Sequence, residues 1–154
     1  MIRLKIPKQS KTRKMKNKNI WKSIEAPLEL HSDERGDIVD IFYKDNIHHV
    51  AVIRSNAGAI RGNHYHEKTT QYMLITLGSL EYWHQPLDSS QEPKCLVMKK
   101  GDFVATPPNE IHALNITEDN EFIVFTTGER GGMDYEADTI RIDGSIIGDQ
   151  NESN

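Results

Sequence analysis

This sequence has one cysteine, no long apolar run and no acidic residue near its start. Each of these shortages excludes a structural feature or a class of protein. Cys95 is the only cysteine, which excludes an intrachain disulfide and is compatible with a reducing cytoplasm. No apolar stretch approaches the roughly 20 residues needed to cross a bilayer, and none follows the basic N-terminus as in a secretory signal. We therefore expect a cytoplasmic protein with no membrane partner. The 154 residues suffice for one domain and are too few for two ordinary ones.

Residues 1–22 contain nine lysines and arginines and no aspartate or glutamate, although the whole chain carries a net charge of −4. A basic segment without a hydrophobic period is typical of a flexible arm. We predict an arm over residues 1–22, a folded barrel over 23–147 and a frayed tail over 148–154. Clustered positive charge can attract phosphates, but a solvated arm, or one packed on the acidic body of the protein, is the interpretation we favour. Nucleic acid is not expected as a partner.

From Trp21 onward, short β-rich runs alternate with turn residues. An apolar run at residues 50–53 closes at a polar turn over 55–58, and a run at residues 71–77 stops at Gly78. No stretch has a helical period longer than a couple of turns. Regularly spaced strands without helices predict an all-β sandwich or barrel.

Three histidines have a spacing that suggests a shared site. His64 and His66 are two positions apart, so on a strand both imidazoles project from the same face. Gln71 follows a short polar connection, so the next strand can bring it alongside them. His112 begins a later strand, after a turn that contains Pro107. If the shared face is the interior of a barrel, these side chains converge in one cavity.

These spacings resemble the two sequence motifs of the cupin superfamily. The first motif, G-x5-H-x-H, then E after three or four residues and G after six, is matched at every spacing, with Gln71 in place of glutamate. The second, G-x5-P-x-G-x2-H-x3-N, is matched at Gly101, Pro107 and His112. Asn109 replaces its glycine, and its asparagine arrives one residue early. The resemblance covers residues 38–125 and implies a single-domain cupin, an antiparallel β-barrel with jelly-roll, or double-stranded β-helix, topology.

The resemblance also implies a metal site. In metal-loaded cupins the ligands are the two histidines and the glutamate of the first motif and the histidine of the second. Here those positions are His64, His66 and His112, with Gln71 as the candidate fourth ligand. Three imidazoles favour a divalent transition metal such as Zn, Fe, Mn or Ni over magnesium or calcium. The amide oxygen of Gln71 brings no charge, so we expect it to bind more weakly than glutamate, or not at all.

Two further segments resemble nucleotide-sugar enzymes of this superfamily. Residues 32–38 contain the D-x-R-G pattern of dTDP-4-keto-6-deoxyglucose epimerases and ketoisomerases, which includes Arg35. Residues 61–66 resemble their R-G-x-H motif, whose arginine meets the nucleotide diphosphate and whose histidine is the base. The same six residues are similar to the metal-carrying C-terminal cupin domain of capsular-polysaccharide reductase/epimerases. The 3,4-ketoisomerases share the glutamine at the position of Gln71 and work without metal, but they lack a histidine like His112.

The resemblance therefore implies an isomerase or epimerase that moves a proton next to the ketone of a nucleotide-activated sugar, as in surface polysaccharide or deoxysugar biosynthesis. His64 is expected to be the base or a metal ligand, because one nitrogen cannot serve both tasks at once. Arg61 and Tyr72 complete the expected catalytic set. Arg35, Arg61 and Tyr65 are expected to bind the substrate, the arginines through its phosphates.

Two other functions stay open at this point. A metal-dependent dioxygenase is favoured by the three histidines and the open coordination positions they would leave. A non-catalytic sensor of a small ligand is favoured by the short chain and the missing glutamate. The family resemblance makes a homodimer the default assembly. The remaining histidines have no motif spacing and are expected on the surface or in loops: His31, His48, His49 and His84.

Overall fold

The computed structural model describes residues 16–22, 30–134 and 136–148, and almost all its regular structure is β-strand. Within this part of the chain the only helix is a single 3-10 turn, Gly132–Asp134. The twelve strands are β1 Lys16–Asn19, β2 Leu30–Asp33, β3 Gly36–Val39, β4 His49–Ser55, β5 Ile60–Tyr65, β6 Gln71–Leu77, β7 Ser79–Pro86, β8 Lys94–Lys99, β9 Asp102–Thr106, β10 Glu110–Asn115, β11 Asn120–Thr126 and β12 Ile140–Arg141.

Two five-stranded sheets form the barrel. The first has the order β1-β9-β6-β11-β4 and the second the order β12-β5-β10-β7-β8. All the paired strands are antiparallel, and β2 and β3 form a separate hairpin. Apart from β7 and β8, neighbouring strands in these two sheets are not consecutive in sequence, so the chain passes repeatedly from one sheet to the other. The prediction of a single all-β antiparallel barrel is confirmed.

The hydrophobic core lies between the two sheets. Side chains alternate between the two faces of each strand, so every second residue of β6, β7, β10 and β11 points inward. Burying one large apolar side chain contributes roughly 1.5–3 kcal/mol, and the core holds ten such residues: Met73, Ile75, Leu80, Tyr82, Met98, Val104, Leu114, Ile116, Phe122 and Val124. Toward one end of the barrel the inward positions become polar, and the site described below begins there.

The boundary of the N-terminal arm differs from the prediction. Lys16–Asn19 pairs with β9 as an edge strand, and the Asn19 amide donates a hydrogen bond of 2.8 Å to Asp102. Ile20 is buried, with 6% exposure, against the outer face of the first sheet. An edge strand tolerates lysines, since their side chains reach water, and the stretch therefore lacks the apolar pattern of an inner strand. The rest of the predicted arm, residues 1–15, and the tail from 149 lie outside the described residues.

No helix in the described part of the chain combines the length and the apolar character that a membrane span requires.

Candidate active site

Three histidines meet inside one end of the barrel. His64 is in β5, His66 directly follows that strand, and His112 is in β10. They are 8%, 1% and 1% exposed, and their ring centroids are 4.7–5.4 Å apart. One ring nitrogen from each lies within 4.8 Å of the other two. The structure thus brings together the three histidines that the motif spacing selects, and we call them the histidine cluster.

A close approach between β5 and β10 sets the geometry of the cluster. His64 and His112 are cross-strand partners, and the register shifts at the next residue. Gly62 has a φ of 78°, and a Cβ there would lie 2.8 Å from the backbone oxygen of His112, so only glycine fits. Asn109, which stands where the cupin motif has glycine, has a φ of 61°. Asparagine tolerates this left-handed conformation better than most residues, which explains the substitution.

Backbone carbonyls orient two of the rings. His66 Nδ1 donates to the carbonyl oxygen of Asp138 at 2.6 Å, and His112 Nδ1 donates to that of Glu110 at 3.2 Å. A carbonyl only accepts, so each Nδ1 carries the proton and each Nε2 keeps its lone pair. The Nε2 atoms of His64 and His66 are buried and have no hydrogen-bond partner. The cluster therefore presents unoccupied imidazole lone pairs.

The histidines are neutral near pH 7. Burial, followed by the influence of His66 and of the positive charges of Arg130 and Arg141, lowers the pKa of His64 to about 3. Burial also lowers the pKa of His66 and, to well below its ordinary value, that of His112. Neutral imidazole is the form that accepts a proton or binds a metal. A pKa of about 3 is nevertheless below the near-neutral value that suits a general base.

Gln71 and Arg130 form the polar wall next to the cluster. Gln71 lies in β6 and Arg130 follows β11; they are 7% and 9% exposed. The guanidinium of Arg130 donates from Nη1 to the Oε1 atom of Gln71. The amide nitrogen of Gln71 lies 3.4 Å from Nε2 of His112. The oxygen that was expected to face a metal therefore faces an arginine instead.

Three side chains of the cluster, His64, His66 and His112, are suitable ligands for a divalent transition metal. Neutral imidazoles with inward lone pairs are ligands that Zn, Fe and Ni accept readily. Gln71 does not fit as the fourth ligand, because its amide oxygen accepts a hydrogen bond from Arg130. The positive charge of this arginine also opposes a cation at the cluster.

A cavity of about 240 Å³ opens beside the cluster. Among the described residues, no aspartate or glutamate lines it. Its polar side consists of His49, Arg61, His64, Gln71, His112, Arg130 and Arg141. Its apolar side consists of Ala51, Ile53, Ile60, Gly62, Leu114, Phe122 and Val124. Histidines and arginines without carboxylates suit an anionic ligand.

The two predicted arginines lie in different places. Arg61 lines the cavity, and its guanidinium donates to Ser55 Oγ at 2.7 Å and to the carbonyl oxygen of Arg54 at 3.2 Å. Arg35 is at the turn of the β2–β3 hairpin, where its exposed side chain pairs with Asp33 at 2.6 Å. The substrate-binding role predicted for Arg35 is not supported within this chain, because its local ion pair holds it away from the cavity.

The two predicted tyrosines face away from the cavity. Tyr72 follows the inward-facing Gln71, so strand alternation turns it to the outer face, where its ring contacts Phe42 at 5.0 Å. Tyr65 follows His64 and packs in the outer cluster that contains Ile111. This arrangement therefore does not support the catalytic role predicted for Tyr72 or the substrate-binding role predicted for Tyr65. Strand alternation could have predicted this, since each tyrosine is adjacent in sequence to a residue that is expected inside the barrel and should therefore face outward.

Two histidines expected on the surface lie inside. His49 lines the cavity from β4, and its buried Nδ1 has no hydrogen-bond partner. His84 is 8% exposed and pairs with Glu110 across β7 and β10 at 2.6 Å. His31 and His48 are exposed, as expected. The alternation of inward-facing and outward-facing residues along β4 and β7 is the signal that could have placed His49 and His84 inside.

An antiparallel two-sheet barrel with an H-x-H pair and a later histidine inside it has the cupin-type fold. Residues 31–140 match the sequence profile of the polysaccharide biosynthesis C-terminal domain. Because this match spans most of the chain, the protein belongs to that family. No curated protein matches the chain significantly in sequence.

Solved structures of sugar-nucleotide isomerases and epimerases have similar folds. The 3,4-ketoisomerase from Helicobacter canadensis has a TM-score of 0.64 at 16% identity, with 83% of this chain and 90% of that chain covered. The dTDP-4-dehydrorhamnose 3,5-epimerase from Sulfolobus tokodaii has a TM-score of 0.61 at 17% identity, with 82% and 88% covered. A mutant of the 3,4-ketoisomerase QdtA from Thermoanaerobacterium thermosaccharolyticum has a TM-score of 0.59 at 20% identity, with 75% and 83% covered. These similarities confirm the resemblance in fold.

Proposed function

We propose that this protein is an isomerase or epimerase that acts on a nucleotide-activated keto-sugar by proton transfer next to the ketone. Its place would be in the biosynthesis of a surface polysaccharide or a deoxysugar. The observation that carries the proposal is the cavity, where neutral histidines face Arg61, Arg130 and Arg141 and no carboxylate of the described residues intervenes. Structural relatives are enzymes of this kind, and one was solved in complex with TDP-4-keto-6-deoxyglucose.

His64 is the group best placed to move the proton. It lines the cavity, and its buried Nε2 has no hydrogen-bond partner. This nitrogen takes a proton from the carbon beside the ketone, and the electrons of the broken C–H bond move to the carbonyl oxygen to form an enolate. Protonation of that carbon from the opposite face, by a second donor, gives an epimer. Protonation of the former carbonyl carbon, with the hydroxyl proton of the neighbouring carbon passing to the enolate oxygen, gives the isomeric ketone. A base positioned in this way contributes about 10²–10⁴-fold to the rate.

Arginines at the cavity would hold the diphosphate. The cavity of about 240 Å³ is smaller than the roughly 300–1,000 Å³ of pockets for drug-sized ligands, so it suits the sugar ring, with the nucleotide at the mouth. Arg61 and Arg141 can each pair with phosphate oxygens. Burial is the main cause of the low pKa of His64, and the charges of Arg130 and Arg141 lower it further. The charge of the diphosphate would offset the arginine part and raise the pKa of this base toward its working range.

As the alternative to a metal-free site in which His64 is the base, we also propose which residues would hold a metal. A divalent transition metal (Zn, Fe, Mn or Ni) would be held by His64, His66 and His112, without Gln71. Bound there, it would polarise the ketone oxygen as a Lewis acid. His64 would then no longer be available as the base.

The assembly we propose is a homodimer that works in the cytoplasm. Val50 and Val52 are 55% and 62% exposed on β4, an edge strand of the first sheet. Apolar residues exposed on an edge strand favour pairing with another chain, and a second copy is the partner that the family resemblance implies. The single cysteine, Cys95, is compatible with a reducing compartment.

Nucleotide binding provides the first test. A ligand that binds only the folded state raises the melting temperature, and at a given concentration a tighter ligand raises it more, with the logarithm of its affinity. dTDP and UDP should therefore stabilise the protein more than their nucleosides do. Arg61→Met should weaken this effect, because Arg61 lines the cavity. Arg35→Met is the matched control: this arginine is exposed and outside the cavity, and its replacement should leave the shift unchanged. Equal melting temperatures with and without every nucleotide would contradict the proposal.

A further inference from the structure

Arg130 reaches the histidine cluster from outside both sequence motifs. It follows β11, in the connection to β12, and it is 9% exposed. Its side chain lines the same cavity as His64, Gln71 and His112. A guanidinium is always charged in proteins, so a permanent positive charge is built into this end of the barrel.

The hydrogen bonds fix the position of that charge. Arg130 donates to the oxygen of Gln71, and the amide nitrogen of Gln71 lies 3.4 Å from Nε2 of His112. A glutamate at position 71 would form an ion pair with Arg130 and cancel its charge. Glutamine instead holds the guanidinium by a hydrogen bond and adds no negative charge of its own. Gln71, which departs from the first cupin motif, is thus the residue that contacts the arginine.

We infer that Arg130 is the resident cation of the histidine cluster: its guanidinium takes the place of the positive charge of a metal and binds the ketone oxygen of the substrate. The identity of this oxygen rests on the proposed function. The enolate that forms when His64 removes the proton carries negative charge on that oxygen, and a fixed cation stabilises it without reorganisation. The three histidines are then available for proton transfer without a metal.

A metal titration tests the inference without any substrate. Ni²⁺ is titrated by calorimetry into the wild type, Arg130→Met and Arg61→Met. Removal of the opposing charge, together with release of the Gln71 oxygen, should tighten binding to Arg130→Met by about 10-fold or more. Arg61→Met is the matched control, because it also removes a cavity arginine, but an exposed one whose charge is screened by water and which contacts Ser55 and a backbone carbonyl instead of Gln71. Its affinity should change far less than that of Arg130→Met.

Equal affinity of the wild type and Arg130→Met would overturn the inference, as would tighter binding by the wild type. A merely structural role for Arg130 would lower the melting temperature and leave the affinity unchanged, which also overturns it. If Arg130→Met does not melt cooperatively, Arg130→Gln, which removes the same charge, is used in the comparison instead of Arg130→Met.

Proton exchange separates this inference from the proposed function. If the wild type exchanges the proton beside the ketone, Arg130→Met should lose about 10²-fold or more in kcat, and added methylguanidine should restore part of the rate. Unchanged kcat in Arg130→Met would overturn the inference while the proposed function stands. If the wild type exchanges no proton with any keto-sugar, the proposed function fails, and the Ni²⁺ titration alone decides whether Arg130 is the resident cation.

Discussion

Replacing Gly62 by alanine should destabilise the protein at the point where β5 approaches the histidine cluster. Gly62 has a φ of 78°, which costs a residue with a Cβ about 1–2 kcal/mol. The new Cβ would also lie 2.8 Å from the backbone oxygen of His112 and 3.3 Å from Cα of Ala113. Relieving this contact requires a backbone shift, and overpacking of this kind costs about 1–3 kcal/mol. The expected total loss of unfolding free energy is about 2–5 kcal/mol.

Gly58→Ala is the matched control for this change. Gly58 has a φ of 84°, but a Cβ there would meet nothing within 4 Å, so only the conformational cost of about 1–2 kcal/mol applies. Urea denaturation of both variants gives the free energies of unfolding, with equal m values as the check that the two-state comparison holds. Equal losses for Gly62→Ala and Gly58→Ala would refute the argument that the close approach of β5 and β10 requires glycine at position 62.

Three further changes test other parts of the structure. Tyr72→Phe should leave turnover unchanged, because Tyr72 faces the outer cluster beside Phe42; a large loss of kcat would show that this residue reaches the site after all. Ile20→Ala should cost about 2 kcal/mol in urea denaturation if β1 packs on the first sheet, and no loss would count against that strand. Asp138→Asn should cost about 1–2 kcal/mol near neutral pH, because its carboxylate accepts backbone N–H groups from residues 67–69 at 2.8–3.1 Å. Burial alone would raise the pKa of Asp138, but these hydrogen bonds outweigh burial and lower the pKa below 3.8. The stabilisation is therefore complete well above pH 3.8 and is lost as the pH falls through the folded-state pKa. A difference in unfolding free energy between the wild type and Asp138→Asn that persists in acid would contradict this explanation.

The residues that could be predicted are those whose position follows from local spacing. His64 and His66 share a face because they are two apart on a strand, and His112 follows a turn that the motif spacing marks. The barrel itself follows from the regular alternation of strands and turns. Arg61 was predicted by the R-G-x-H resemblance and not by strand alternation, which would turn a residue three before His64 to the other face. The positive φ angles of Gly62 and Asn63 interrupt that alternation, and Arg61 lines the same cavity as His64.

The residues that were missed depend on how distant segments close over the barrel. Arg130 and Asp138 come from the connection between β11 and β12, and no local pattern shows that a loop there returns to the cluster. Arg35 was placed by resemblance alone, and its ion pair with Asp33 is a local feature that the resemblance did not address. Lys16–Asn19 was taken for a flexible arm because a lysine-rich edge strand has no hydrophobic alternation.

Deuterium exchange measures directly the proposed transfer of a proton beside the ketone of an activated sugar. The protein is incubated in deuterated water with dTDP-4-keto-6-deoxyglucose and with other dTDP- and UDP-keto-sugars, and the ring protons are followed by NMR. With the wild type, the NMR signal of the proton on the carbon next to the ketone should disappear. With His64→Gln, the rate of this exchange should be lower by at least about 10²-fold. Unchanged ring signals with every one of these sugars, with and without added divalent metal, would contradict it.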